Sequence, residues 1–302
     1  MRAARLQAYI EILITVIIWG IASIVIKLTL QGVTPVMFLS YRFFLSSIVA
    51  LPYLGRVIHL FKQPKTRIPV LAYSLLSGPI ALGILFVGLS ETSVVNLALL
   101  SAIEPLILTL LASRLFHDHL SKKARIGVMV AVVGAVLTVI EPLLGHSDAG
   151  SFHGNILVIF YIVSDIAGIL ILKKLMKKHV DAFALTNLSF ITGFFVFVPL
   201  LLINNTGAHI LGTLVNLSPW YHVGIFYMAL LSGTYAYTLR AKAQKTLPVS
   251  EVSLFSYLTP LITTILALIF LNETISVLYV LGGILIASGV CIVELKKMQL
   301  KT

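Results

Sequence analysis

The chain contains a duplicated segment whose two copies differ in charge. Residues 96–141 align without a gap with residues 251–296, at an offset of 155 residues. A membrane segment that keeps its prolines and glycines but loses its bases is predicted to insert in the opposite direction. The matched residues include Pro105/Pro260, Ser101/Ser256, Gly127/Gly282 and Gly134/Gly289. In contrast, Lys122, Lys123 and Arg125 align with the uncharged residues Val277, Leu278 and Val280.

The composition is that of a membrane protein: 59% of the residues are hydrophobic and only 11% are charged, against about a quarter in ordinary domains. Apolar stretches long enough to cross a hydrocarbon core of about 30 Å recur along the whole chain. The first is too long for a cleavable signal and lacks a cleavage site. The single Cys291 excludes a disulfide within the chain. We predict ten spans, at 9–29, 35–54, 68–89, 94–115, 124–141, 154–173, 181–202, 220–240, 248–271 and 276–294.

The positive net charge of +11 is predicted to reflect topology rather than nucleic-acid binding. With ten spans, 20 of the 22 Lys and Arg residues fall on one side, including the group Arg240, Lys242 and Lys245 after span eight. Short loops rich in Lys and Arg stay in the cytoplasm. Both termini are therefore expected to be cytoplasmic, in a multi-pass protein of the plasma (inner) membrane. Only Lys27 and Arg42 lie elsewhere.

The chain divides into two halves of five spans. Pro52 and Pro199 align the front parts of the halves at an offset of 147 residues. An odd number of spans per half forces the two halves to insert antiparallel. The predicted fold is thus an all-α polytopic membrane protein, with ten transmembrane helices in two inverted repeats around a central cavity. The repeats cover 9–141 and 154–295, and the linker 142–153 is rich in Gly, Ser and Asp.

An ordered set of short motifs in both halves resembles the EamA-type branch of the drug/metabolite transporter superfamily, over about 11–141 and 154–295. Two departures are Asp118, where the family usually has a glutamate, and the lack of a Trp-Gly pair in span six. The motifs are Trp19-Gly20, Lys27, Pro35, Arg42-Phe43, Thr92-Ser93, Pro105 and Gly127/Gly134 in the first half, and Leu247-Pro248, Pro260, Asn272-Glu273 and Gly282/Gly289 in the second.

The resemblance implies a cavity lined by spans one, three, four, six, eight and nine, with spans five and ten as a scaffold. It also implies export or exchange of small metabolites, often amino acids or drug-like amines. Independently, small residues line one side of span five and one side of span ten. They predict close helix packing within the fold or, alternatively, a homodimer contact. These residues are Gly127, Ala131, Gly134, Gly283 and Ala287.

Two acidic residues lie at mid-span, Glu104 in span four and Asp165 in span six. A charged side chain at that depth costs about 2.5–3.5 kcal/mol on insertion scales, so each should face a cavity or a partner. The functional hypothesis is that one of them contacts a substrate ammonium group or carries a coupled proton. The alternative is a protonated carboxyl group that donates to a neighbouring helix.

Pro105 and Pro260 are predicted hinges. A proline inside a helix leaves the carbonyl four residues back without its hydrogen bond, and these carbonyls belong to Ser101 and Ser256. Such carbonyls are tolerated at membrane depth only where protein, water or ligand satisfies them. Both helices are therefore expected to bend at mirrored depths around the cavity. Simple packing bends are the alternative.

Aromatic residues at mid-span complete the candidate substrate site. Aromatic walls suit an amphipathic small molecule and can hold an ammonium group by cation–π contact, although ordinary packing explains each ring equally well. Arg42, two turns into span two, could face a substrate carboxylate, outer water or an acidic partner. The aromatic candidates are Trp19, Tyr161, Tyr235, Tyr237 and Tyr257.

No cofactor or metal site is predicted. His117 and His119 flank Asp118, but residues two apart do not share a helix face, and no further ligand has metal-site spacing. Glu251, at the start of span nine, has a sufficient structural explanation at a helix N-terminus. The chain has neither a Walker-type phosphate loop nor a paired nucleophile and base, so no enzyme is predicted.

The leading functional prediction is a secondary transporter that exports or exchanges small metabolites, amino acids or amine-bearing compounds, by alternating access. Its partners are a small-molecule substrate and the lipid bilayer, with no nucleic acid. A carrier of anionic cargo such as nucleotide sugars or phosphates is the first alternative, and it requires cavity Lys or Arg. A membrane-embedded enzyme and a non-transporting receptor or assembly factor are further alternatives.

Overall fold

A computed structural model describes residues 2–62, 64–116, 122–144, 150–176, 178, 180–247, 252 and 255–299. Within these ranges all regular secondary structure is helical, apart from one isolated β-bridge between Thr92 and Gly150. The all-α prediction is thereby confirmed. The possible metal ligands His117, Asp118 and His119, as well as Pro248 and Glu251, lie outside the described residues.

Twelve helices organise the described residues. Short helical turns extend α2 to His59 and α6 to Leu144, and π-helical segments interrupt α3 and α10. The helices are α1 (Arg2–Thr29), α2 (Pro35–Ala50), α3 (Pro64–Glu91), α4 (Val94–Ser101), α5 (Glu104–Phe116), α6 (Lys122–Ile140), α7 (Phe152–Met176), α8 (Ala182–Asn204), α9 (Gly207–Asn216), α10 (Pro219–Phe226, Tyr227–Tyr235 and Ala236–Thr246), α11 (Leu258–Phe270) and α12 (Val277–Gln299).

Side-chain caps set the beginnings of two matched helices. The Thr34 hydroxyl accepts from the Met37 N–H ahead of α2, and the Asp181 carboxylate accepts from the Phe183 N–H ahead of α8. Such caps satisfy N–H groups that have no partner inside the helix. Thr34 and Asp181 are 147 residues apart, the offset that relates the front parts of the two halves. The repeat is thus visible in local structure.

Helices α6 and α12 are the repeated elements with the matched glycines, and they pack directly against each other. A Cβ at Gly127 would lie 2.8 Å from the Gly289 carbonyl oxygen, and one at Gly134 would lie 2.5 Å from the Gly282 carbonyl oxygen. Residues earlier in one helix therefore meet residues later in the other, so the two copies of this element run antiparallel. Opposite directions for equivalent helices are what an inverted duplication requires.

The small-residue prediction for α12 is corrected in its details. Gly282 and Gly289 make the close backbone contacts, whereas a Cβ at Gly283 would meet only the Leu99 side chain, at 3.7 Å. The sequence instead predicts a packing face that contains Gly283 and Ala287. The glycines of α6 are occupied within the chain, so they are not left free for a second copy.

A second matched pair, α2 and α8, is also antiparallel. Ser40 donates to the Phe197 carbonyl at 2.8 Å, and Ser47 donates to the Phe190 carbonyl at 3.2 Å. The residue numbers rise along one helix as they fall along the other. Close approach is possible because Gly193 has no side chain where the Phe43 ring lies. Two equivalent pairs thus show the same inverted relation.

The π-helical segments of α3 and α10 lie at equivalent positions. Each contains a Ser-Gly pair, Ser77-Gly78 or Ser232-Gly233, again 155 residues apart. A side chain of the paired helix in the other half donates to a carbonyl of each segment: Ser164 to the Leu76 carbonyl and Trp19 to the Ser232 carbonyl, both at 3.1 Å. Such bulges occur frequently at functional sites.

The helices that contain the two predicted hinge prolines are interrupted at matched places. The α4 helix ends at Ser101, a turn covers Ala102–Ile103, and α5 begins at Glu104; the equivalent turn in the second half is at Tyr257, before α11. Pro105 and Pro260 lie in the first turns of the helices that follow, where a proline removes no hydrogen bond. The interruptions therefore precede the prolines rather than forming mid-helix kinks at them.

Large apolar side chains cover the outside of the molecule, as expected in lipid. Six helices of the described residues are long and apolar enough to cross a membrane, or seven if the pair α9–α10, bent by 103°, is one span. Val94–Leu108, Leu258–Phe270 and Val277–Val293 are apolar but shorter. The predicted count of ten spans stays a prediction. The six are Ala4–Thr29, Pro35–His59, Pro64–Glu91, Arg125–Leu144, Phe152–Met176 and Ala182–Ile203.

Candidate functional site

A cavity with a water-accessible volume of about 250 Å3 lies between the two halves. It is near the lower end of small-molecule sites, which run from roughly 300 Å3 upward. None of the described residues that line it belongs to α6 or α12, the two helices that the family resemblance assigns to a scaffold away from the substrate. Besides the expected spans, α2 contributes Arg42, and α8 contributes Ala182 and Thr186.

Ten of the twelve predicted site residues line this cavity. Tyr235 does not: it is 50% exposed at the end of the π-helical segment, pointing away from the interior. Tyr257, in the turn just before α11, also lies outside the lining. The ten are Trp19, Arg42, Ser101, Glu104, Pro105, Tyr161, Asp165, Tyr237, Ser256 and Pro260.

The two acidic residues meet in the cavity. Glu104 is the first residue of α5, just after the interruption, and Asp165 lies in the middle of α7. Their carboxyl groups are within hydrogen-bonding reach of each other. An ionised carboxylate only accepts hydrogen bonds, so a bond between the two requires that they share a proton. The pair can therefore hold either a proton or a cationic group.

Arg240 is the cavity residue that the sequence placed wrongly. It was assigned to the cytoplasmic basic cluster after span eight, but it lines the cavity and interacts electrostatically with both Glu104 and Asp165. Its guanidinium carbon lies 5.1 Å from the centroid of the Trp19 ring. The π-helical turn ahead of it shifts the register of the residues that follow, which regular helical periodicity does not anticipate.

Trp19 and Gly20, a pair in the sequence motif, have separate structural roles. The Trp19 indole N–H donates to the Ser232 carbonyl, and its ring packs edge-on against Tyr237, with centroids 5.2 Å apart. A Cβ at Gly20 would lie 2.7 Å from Ile262, so glycine lets α1 approach α11 closely. Tyr73, which the sequence analysis missed, lies in the same wall and interacts with Asp165 and Arg240.

Repeat symmetry accounts for the shape of the cavity but not for its charges. Ser77/Ser232, Ser101/Ser256 and Pro105/Pro260 all line it as matched pairs. In contrast, each charged residue of the cavity corresponds in the repeat alignment to an uncharged residue of the other half. Glu104 corresponds to Thr259, Asp165 to Ile18, Arg42 to Ser189 and Arg240 to Leu85.

At the end of the molecule where α3 meets α4, residues from distant parts of the chain hold the turn between these two helices in place. The Lys27 ammonium donates to the carbonyls of Leu89 and Thr92 at 2.9 and 2.7 Å. The Glu273 carboxylate accepts from the backbone N–H groups of Val94 and Val95 at 2.9 and 2.8 Å. The two motif residues Lys27 and Glu273 therefore fix one tight turn.

Comparison with known proteins supports the resemblance. The profile of the EamA-like transporter family matches residues 6–140 and 153–295. The "Uncharacterized transporter YetK" of Bacillus subtilis is 24% identical over 300 residues, which cover 98% of this chain and 89% of that protein. The "Probable amino-acid metabolite efflux pump" of Salmonella typhimurium is 24% identical over 284 residues, covering 93% of this chain and 92% of that protein.

A solved structure titled "Crystal structure of protein" has the same fold, with a TM-score of 0.62, 15% sequence identity and full coverage of both chains. The apolar helices and the transporter relatives together identify a multi-pass membrane protein with a transporter role. Because the family profile covers nearly the whole sequence in two consecutive matches, the chain belongs to the EamA-like transporter family.

Proposed function

We propose that this protein is a secondary transporter that exports or exchanges amino acids or related amine-bearing metabolites across the plasma (inner) membrane by alternating access. The observation that carries the proposal is the Glu104–Asp165 pair in a small cavity between the two halves. Two carboxyl groups in contact can exchange their shared proton for a substrate ammonium group. The name of the Salmonella typhimurium relative, an amino-acid metabolite efflux pump, agrees with this substrate class.

The proposed architecture has ten spans in two inverted repeats, 9–141 and 154–295, with both termini in the cytoplasm. The matched interruptions before Pro105 and Pro260 are the proposed hinges, because they precede equivalent helices of the two halves and both prolines line the cavity. Alternating access then consists of rocking one half against the other around a fixed site. Homodimer formation remains a separate proposal.

An anion carrier is the second candidate, because Arg42 and Arg240 both line the cavity. It is disfavoured by the position of Arg240, whose charge is balanced by the two acidic residues. An anion carrier would instead gather bases without acidic neighbours.

Transport by the purified protein in liposomes tests the proposal. Labelled amino acids, primary amines and sugar phosphates are offered in turn, with and without a pH gradient. Uptake of amino acids or amines, but not of sugar phosphates, is expected. Uptake of sugar phosphates alone would establish the anion carrier, and no uptake of any amine-bearing compound would refute the proposal.

A further inference from the structure

Arg42 is a buried charge whose hydrogen-bonding capacity is largely unused. The side chain is 2% exposed, yet it lines the cavity. Among the described residues, neither its Nε nor its Nη1 has a hydrogen-bond partner. Burying a charged group without such partners is costly, and buried polar groups in proteins are nearly always paired. An arginine held in this way therefore indicates a missing partner.

The aromatic contacts of Arg42 leave its Nε and Nη1 donors unpaired among the described residues. Its guanidinium carbon lies 5.7 Å from the centroid of the Phe86 ring and 5.9 Å from that of the Phe43 ring. Aromatic faces stabilise the positive charge but do not replace the in-plane hydrogen bonds of the N–H groups. The planar fork of a guanidinium matches a carboxylate, which accepts two parallel hydrogen bonds.

The acidic residues of the cavity do not supply that carboxylate. Arg240 is the base that interacts with Glu104 and Asp165. Tyr161 and Tyr237 each interact electrostatically with Arg42 and with both acidic residues, so both regions adjoin these tyrosines. The cavity thus has a positive pole at Arg42 and a proton- or cation-binding pole at the acidic pair.

We propose that Arg42 is the binding site for the carboxylate of the substrate, so that the transported compounds are zwitterionic amino acids rather than simple amines. This inference rests on the proposed function and narrows it. The ammonium group binds at Glu104 and Asp165, and the carboxylate accepts hydrogen bonds from the unpaired N–H groups of Arg42. A substrate that lacks either charge leaves one pole of the cavity unpaired, which is why both groups are required.

Sets of three related compounds test the assignment. Leucine is compared with isopentylamine and 4-methylpentanoate, and phenylalanine with phenethylamine and 3-phenylpropionate, as ligands of the purified protein and as competitors of transport in liposomes. The variants are Arg42→Gln, Arg42→Lys and the control Arg56→Gln. Arg56 is exposed and also lies over an aromatic ring, that of Tyr53, at 5.9 Å.

The wild type and Arg56→Gln should bind an amino acid at least about 10-fold more tightly than its amine, because a hydrogen-bonded charge pair is lost with the carboxylate. Arg42→Gln should abolish this preference by weakening amino acid binding alone, and Arg42→Lys should retain part of it. Equal weakening of both ligands, or an unchanged preference, would overturn the assignment while the proposed function holds. If the wild type binds neither amino acids nor amines, or binds the carboxylic acid as tightly as the amino acid, the proposed function itself fails.

Discussion

At the scale of single residues, the chemistry of the cavity comes from side chains that break the repeat. Serines and prolines recur at the offset of 155 residues and line the cavity in pairs, whereas Glu104, Asp165, Arg42 and Arg240 have no charged equivalents. A duplicated scaffold provides two similar walls of the cavity. Charged residues that occur in only one of the two halves then give these walls different functions. An asymmetric substrate with two opposite charges requires such an asymmetric site.

Replacing Glu104 by Gln removes one of the two carboxyl groups of the acidic pair while keeping the size of the side chain. Transport of amino acids or amines should fall by at least about 10-fold, because the ammonium group loses a charged hydrogen-bond acceptor. Initial rates in liposomes measure the change. Glu91→Gln is the matched control, since Glu91 lies at the end of α3, pairs with the exposed His153 and does not line the cavity. Equal rates for Glu104→Gln and wild type would remove Glu104 from the site.

At the scale of helices, close backbone packing defines how the two halves meet. Gly127 and Gly134 face Gly289 and Gly282, and Gly193 accommodates the Phe43 ring. In a membrane, where lipid is as apolar as the side chains, small residues give helix association its stability.

Gly289→Ala tests the α6–α12 packing, since its Cβ would lie 2.4 Å from the Gly127 carbonyl oxygen. The backbones must separate, which we expect to cost about 1–3 kcal/mol. Gly283→Ala is the control on the same helix, where the nearest atom is 3.7 Å away and alanine favours the helix. Thermal unfolding in detergent should show a lower midpoint for Gly289→Ala only. Equal midpoints for the two variants would contradict the packing.

Glu273→Gln tests the closed turn between α3 and α4. The carboxylate accepts from two N–H groups at the start of α4, and an amide replaces one of its oxygens with a donor. The free energy of unfolding should fall by about 1–2 kcal/mol. Glu11→Gln, which alters only an exposed contact with Gln7, should change it by less than about 0.5 kcal/mol. A similar loss in both variants would argue against the cap.

Features that depend on the sequence repeat, or on the cost of inserting charged residues into the membrane, could be predicted from the sequence. The all-α fold, the two acidic residues at mid-span and the matched prolines follow from apolar length, from charge placement and from the offsets. The position of Arg240 could not be predicted, because a π-helical segment changes the face that follows it. For the same reason Tyr235 was expected inside and lies outside. Likewise, the sequence does not distinguish Gly282 from the adjacent Gly283 in α12. Only the contact of Gly282 with α6 in the structure does so.

At the scale of the whole molecule, the proposed alternating access depends on two halves that cross the bilayer in opposite directions. The antiparallel pairs α6/α12 and α2/α8 have this relation, and the basic residues follow it along the chain. A cavity between inverted halves can open to either side by equivalent movements.

Cysteine labelling in intact cells measures this relation most directly. In a Cys291→Ser background, single cysteines are placed at Gly55 and at Gly207, where a side chain meets no atom within 4 Å. These sites lie at the ends of equivalent helices, Gly55 in the short helical turns that extend α2 and Gly207 shortly after α8. A membrane-impermeant maleimide should label the cysteine at position 207 in intact cells, but the one at position 55 only after permeabilisation. Labelling of both cysteines from the same side would contradict the inverted arrangement.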